Sequence, residues 1–193
     1  MDSTMFETAF TEARSFNTWQ DRPVEEAQLR ALYDLMRWGP TSTNSNPGRF
    51  VFLTTPEAKE RLIPTLGEMN VAKVRAAPVT AIVAWDRRFF DKIPQLFIHR
   101  PEIAANFANN PPLAQETAFR NSALQGAYMI IAARMLGLDC GPLSGFNAQA
   151  VNEAFFPEGD WAVNFLINLG YGQREDLFPR LPRLDFGSAC KIV

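Results

Sequence analysis

The stretch of residues 113–138 constrains the fold of this chain more than any other part of its sequence. It begins with polar residues and then becomes apolar on nearly every side at residues 127–133, which read AYMIIAA. A helix that is apolar all round is buried, either inside a domain or between two copies of a chain. We therefore expect a long buried central helix against which the other elements pack.

The remaining patterns predict a single α+β domain over residues 1–193, with no repeat and no linker to divide it. Helical spacing covers residues 5–19 and a second run that starts near Glu25 and ends at Gly39-Pro40. Strands are predicted at residues 49–54, 78–85 and 162–170, and further helices at residues 56–66 and 148–155. The strand at 78–85 is almost continuously apolar, so we expect both of its faces to be covered. Residues 86–112 read as an irregular excursion, and residues 137–145 as a turn-rich segment.

Composition excludes several classes of function. The net charge of −2 gives no basis for binding nucleic acid or an acidic membrane surface. The first residues have neither a basic start nor an apolar run, and the longest apolar runs are too short to span a bilayer, so we expect a cytoplasmic protein. The single histidine, His99, and the two distant cysteines, Cys140 and Cys190, predict no metal site and no Ser-His-Asp triad. No catalytic side chain is assigned.

A nucleotide cofactor would have to be held by scattered groups, because no glycine-rich phosphate loop follows a strand. The loop at residues 39–44 (GPTSTN) offers short donors and acceptors, although it could equally be a plain capping loop. Asn70 and Lys73 lie three positions apart, so on a helix both would point to the same side and could contact a ligand. The alternative is that both are simply solvated.

Two further clusters could contact a ligand. In residues 136–146 (LGLDCGPLSGF), glycines and small residues would let the backbone approach a ligand closely. Arginines occur near both chain ends, in Arg14-Ser15-Phe16-Asn17 and in Arg180-Leu181-Pro182-Arg183. A guanidinium fork suits a phosphate group, and the alternative is a solvated tail.

Together these clusters give the whole chain a resemblance to the nitroreductase family. The resemblance implies the nitroreductase-like fold, in which helices flank a central, mostly antiparallel sheet and two chains form an intertwined homodimer. It also implies that FMN binds at the subunit interface and that NADH or NADPH is the reductant of a small-molecule substrate. Backbone groups of the 136–146 segment would then pass the flavin N5, where hydride is transferred in a ping-pong reaction.

The resemblance also implies a role for each cluster. Contacts from the partner chain fall to Pro40, Thr41, Ser42 and Asn44. Contacts to the pyrimidine edge of the flavin fall to Asn70 and Lys73. Contacts near N5 fall to Pro142, Leu143, Ser144 and Gly145. Contacts to the phosphate fall to Arg14, Ser15, Asn17, Arg180 and Arg183. The chain departs from the family pattern at Asn17, which replaces a basic residue, at Arg14, which is shifted by one position, and at Ser144, which replaces a glutamate.

Four segments narrow the resemblance to one branch of the family. They are residues 37–42, 77–86, 118–122 and 181–184, and they are similar to the branch that contains the malonic semialdehyde reductases of uracil degradation. That likeness implies a small aldehyde as acceptor, reduced to 3-hydroxypropionate. The wider family implies nitroaromatics and quinones instead. A flavin-binding protein without turnover and a purely structural dimer also stay open.

Overall fold

The computed structural model describes residues 3–193 of the chain. Met1 and Asp2, part of the segment in which we expect no secretory signal, lie outside the described residues. Within these, four strands form one antiparallel sheet in the order β1-β2-β4-β3. The strands are β1 Gly48–Leu53, β2 Val79–Asp86, β3 Asp139–Leu143 and β4 Trp161–Gly170. The prediction of a central antiparallel sheet is confirmed.

Helices cover both faces of this sheet. Those before β2 are α1 Ser3–Phe6, which continues as a π-helical turn at Glu7–Thr11, then α2 Glu26–Met36, α3 Pro56–Leu62 and α4 Glu68–Ala76. Those after β2 are α5 Ile93–Leu96, α6 Ala104–Ala108, α7 Pro111–Met135, α8 Ala148–Phe155 and α9 Phe186–Ala189. No helix in residues 3–193 combines the length and apolarity needed to cross a membrane.

The sheet separates two apolar cores. On one face, α2 and α7 pack with residues such as Leu32 and Met129 against β2 and β4. On the other face, α3, α4 and α8 contribute Leu62, Val74 and Val151. Strand β2 is buried along seven of its eight residues, because it pairs with a strand on each side and has helices above and below. The prediction of a strand covered on both faces is confirmed.

The long predicted helix is α7, and one chain buries only one side of it. The buried side carries small and polar residues, including Asn121, Ser122 and Gln125. Leu124, with 46% of its surface exposed, and Met135, with 37%, lie on the other side. The apolar run thus predicted the helix, but full burial on all sides does not occur within a single chain.

Three predictions about local structure were wrong. The first helix ends at Thr11 instead of near residue 19, because Phe16 and Trp19 are buried against the sheet in extended chain. The backbone N–H of Phe16 donates to the carbonyl of Cys140 at 3.0 Å. Residues 139–143 form strand β3 instead of a turn. Residues 86–112 form short helical turns around a separate apolar cluster that includes Phe89 and Phe107, so they are not irregular.

Candidate functional site

The two ends of the chain meet around one cavity of about 770 Å³. Its lining includes all the predicted phosphate contacts, which are Arg14, Ser15, Asn17, Arg180 and Arg183. Reciprocal hydrogen bonds hold the ends together: the Arg14 guanidinium donates to the carbonyl of Phe178, and that of Arg180 donates to the carbonyl of Ala13 at 3.0 Å. The structure therefore brings these five residues together, while their contact with a phosphate stays a prediction.

Arg134 lines the same cavity, and the sequence reasoning missed it. It lies in the last turn of α7, and its Nη1 donates to the carbonyl of Ala9 at 3.0 Å. Its Nε is shielded from solvent and has no hydrogen-bond partner among the described residues. In the sequence, Arg134 is a lone arginine in the apolar half of the predicted long helix, and that pattern does not reveal which way its side chain points.

Asn70, near the start of α4, meets the segment that follows β3. Its Nδ2 donates to the carbonyl of Gly145 at 2.9 Å, and the backbone N–H of Gly67 donates to the same oxygen at 2.9 Å. A Cβ at position 145 would lie 2.5 Å from Asn70 Nδ2, so a larger residue there would displace the Asn70 amide from this contact. The backbone N–H groups of Ser144 and Gly145 find no acceptor among the described residues, and both residues are exposed. They are available to donate to a ligand.

Lys73 lies one helical turn after Asn70 and is partly buried. Its carbonyl accepts a hydrogen bond from Asn168 Nδ2 at 3.2 Å, and the Asn168 Oδ1 accepts one from the buried Thr80 hydroxyl at 2.7 Å. This chain of bonds fixes the end of α4 against β2 and β4. Within residues 3–193, no carboxylate forms an ion pair with the Lys73 ammonium. Its charge is therefore not neutralised within the described chain.

Strand β3 connects the arginine cavity with the Asn70 contact. Ser15 pairs with Cys140 at one end of the strand, and Gly145 follows five residues later, about 17 Å away for extended chain. Gly141 lets the N-terminal segment lie this close, since a Cβ there would lie 2.3 Å from the Phe16 carbonyl oxygen. Pro142 and Leu143 end the strand between the two points. The geometry suits an elongated ligand with an anion at one end and a polar ring at the other.

The loop at residues 40–48 does not line the arginine cavity of the same chain. Asn121 Oδ1 accepts from the N–H of Ser42 at 2.8 Å, and Gln125 Oε1 accepts from that of Gly48 at 2.7 Å. Thr43 and Asn44 have positive φ angles of 52° and 48°, which non-glycine residues rarely adopt. The loop is thus fixed in an uncommon conformation that leaves Pro40, Ser42 and Asn44 exposed, with Thr41 partly buried.

One chain does not bring this loop to the arginine cavity. The loop contacts α7 at Asn121, and the cavity is lined by Arg134, thirteen positions further along the helix. At a rise of 1.5 Å per residue the two positions are about 20 Å apart along the helix axis. Within one chain the loop therefore does not reach the arginine cavity, and its contact with a ligand bound to the partner chain stays a prediction.

Comparison with known proteins agrees with this fold. A sequence model described as the Nitroreductase family matches residues 11–171. A protein of Rhodopseudomonas palustris (strain TIE-1), named as an NADH dehydrogenase/NAD(P)H nitroreductase, is 54% identical over 184 residues, which are 95% of this chain and 93% of the relative.

Solved structures show the same architecture at low sequence identity. A nitroreductase from Bacillus subtilis matches with a TM-score of 0.89 and 20% identity, over 99% of this chain and 100% of the other. A nitroreductase from Exiguobacterium sibiricum 255-15, solved in complex with FMN, matches with a TM-score of 0.88 and 18% identity, over 98% and 97% of the two chains. At these identities the likeness shows the fold.

Proposed function

This chain belongs to the nitroreductase family, and from that premise we propose that it binds FMN between two copies of itself and uses NADH or NADPH to reduce a small acceptor. One observation carries the proposal. An arginine-lined cavity lies at one end of β3, and the Asn70 amide with two unpaired backbone N–H groups lies at the other. The FMN found in a structural relative supports the same cofactor.

The residues present fit FMN. Arginines at the cavity suit a dianionic phosphate, and the Nε of Arg134 is a buried donor that lacks an acceptor. The N–H groups of Ser144 and Gly145 suit close contact with a planar ring, since both residues are exposed and neither N–H has an acceptor among the described residues. When bound, FMN would supply hydride transfer between the nicotinamide and the acceptor.

The chain's own residues would hold the cofactor and tune its charge. Arg14, Arg180 and Arg183 would bind the phosphate, with Ser15 and Asn17 as neutral donors beside them. Asn70 and Lys73 would bind the polar edge of the ring, where an ammonium without a carboxylate partner favours developing negative charge. Pro142 and Leu143 would line the path between the two ends. From the second copy, Pro40, Thr41, Ser42 and Asn44 would complete the site.

For the acceptor we propose a small aldehyde such as malonic semialdehyde, reduced to 3-hydroxypropionate. Support comes from the four sequence segments that resemble that branch of the family. A nitroaromatic or a quinone is the second candidate, because the relative that is 54% identical is named for NAD(P)H nitroreductase activity. In either case Ser144, exposed beside Gly145, would offer a neutral hydroxyl to the substrate side.

Reduction of the purified protein tests the function directly. We expect a yellow protein whose flavin absorbance bleaches anaerobically with NADH or NADPH and returns when malonic semialdehyde is added. Parallel rate measurements with a nitroaromatic and a quinone rank the acceptors. Bleaching without reoxidation by the aldehyde would select the second candidate. A yellow protein that no nicotinamide bleaches would be a flavin binder, and failure to bind FMN would end the proposal.

A further inference from the structure

The arginine cavity carries an excess of positive charge that the protein itself does not neutralise. Four guanidinium groups line it, those of Arg14, Arg134, Arg180 and Arg183, against the single carboxylate of Asp176. Within residues 3–193, none of the four forms an ion pair. Like charges gathered around one cavity repel each other unless an anion lies among them.

The four arginines differ in how firmly the fold holds them. Arg14, Arg180 and Arg183 lie on segments without regular secondary structure, and the side chain of Arg183 donates only to carbonyls of its own segment, at Leu181 and Pro182. Arg134 instead lies on the last turn of the 25-residue helix α7. Its bond to the Ala9 carbonyl fixes the guanidinium further. It is the arginine with the most rigid support.

A structural role explains only part of what Arg134 does. A cation in the last turn of a helix interacts favourably with the helix dipole, and the Ala9 contact ties α7 to the N-terminal segment. Neither role uses Nε, which is buried without an acceptor. Buried donors are nearly always paired, and the side chain that carries this unpaired one lines the arginine cavity, which suits an anion bound there.

We propose that Arg134 binds the phosphate of FMN and provides the charge that Asn17 lacks. The inference rests on the proposed function. Asn17 and Arg134 line the same cavity, so the cation from α7 and the neutral amide face one enclosed space. The phosphate is then held by contributions from three parts of the chain: the N-terminal segment, the C-terminal tail and the end of the central helix.

Flavin binding by an Arg134→Met variant tests this assignment. Protein freed of flavin by dialysis is titrated with FMN and, separately, with riboflavin, and flavin fluorescence is followed. A hydrogen bond to a charged group contributes roughly 1.5–3 kcal/mol, so we expect the Kd for FMN to rise about 10- to 100-fold. Riboflavin lacks the phosphate, so its Kd should not change. Arg134→Lys should recover part of the FMN affinity.

Arg61→Met is the matched control, because Arg61 also lies in the last turn of a helix, α3, and donates to a backbone carbonyl, that of Ala154 at 2.7 Å, without lining the cavity. It should leave both Kd values as they are. Thermal unfolding reports whether Arg134→Met is folded. Unchanged FMN affinity in that variant, or an equal loss for FMN and riboflavin, overturns the assignment and leaves the proposed function standing. Wild-type protein that binds neither flavin overturns both.

Discussion

Cys140 shows at the scale of one residue how the packing of β3 controls chemistry. Its thiol is buried between the sheet and α7, and burial raises the pKa of Cys140 to about 12 from an ordinary value near 9. The native thiol therefore stays protonated at pH values where the unfolded thiol ionises. The unfolded state then binds fewer protons, so the free energy of unfolding falls as pH rises from about 9 toward 12.

The Cys140→Ala variant isolates this dependence. Between pH 9 and 10 the wild-type protein should lose up to about 1.4 kcal/mol more stability than the variant. Urea unfolding of both proteins across this range measures the difference. Cys190 is exposed, so Cys190→Ala is the control and should keep the wild-type slope. Equal slopes in wild type and Cys140→Ala would show that the native thiol is not shielded.

At the scale of elements, sequence periodicity predicted the helices and strands whose apolar residues are buried within a single chain. Strand β2 and helix α8 were found because their apolar residues pack within one chain. Strand β3 was missed because its residues, DCGPL, include a glycine and a proline, and its pairing depends on β4. The first helix was extended too far because Phe16 and Trp19 have helical spacing, whereas contacts distant in sequence bury them in extended chain.

The same limit applies to the candidate site. The residue types suited to a phosphate could be identified at both chain ends, because arginines near serine and proline stand out in a short segment. Arg134 could not be identified, since its role depends on the direction of one side chain at the end of a 25-residue helix. The position of the 40–48 loop on α7 depends likewise on Asn121 and Gln125, which periodicity treats as interruptions of an apolar run.

Asn121 and Gln125 of α7 also hold the 40–48 loop in its uncommon conformation. In Gln125→Met the N–H of Gly48 loses its acceptor in a buried position, which should lower the free energy of unfolding by about 1–3 kcal/mol. Chemical denaturation measures the loss. Gln115→Met changes an exposed glutamine of the same helix and should stay within about 0.5 kcal/mol of wild type. A comparable loss in both variants would contradict a specific anchoring role for Gln125.

At the scale of the whole molecule, a single chain leaves many large apolar side chains in solvent. They share two locations, the outer side of α7 and the C-terminal tail: Leu124, Tyr128, Met135, Phe178, Leu181, Leu184 and Phe186. Exposed apolar side chains that cluster on a surface commonly mark a protein–protein contact. We propose that a second copy of the chain covers these side chains and contributes its 40–44 loop to the FMN site.

Leu124→Glu tests whether that second copy is needed for cofactor binding. The side chain is exposed in one chain, so the substitution should change the stability of the fold by no more than about 0.5 kcal/mol, while a charge buried in an interface opposes association. We expect the wild type to sediment as a dimer with bound FMN, and the variant as a folded monomer that has lost it. Ala148→Glu, exposed on α8 across the sheet, should remain dimeric and yellow. A monomeric variant that keeps its flavin would show that one chain forms the whole site, and the 40–44 loop would then have no part in it.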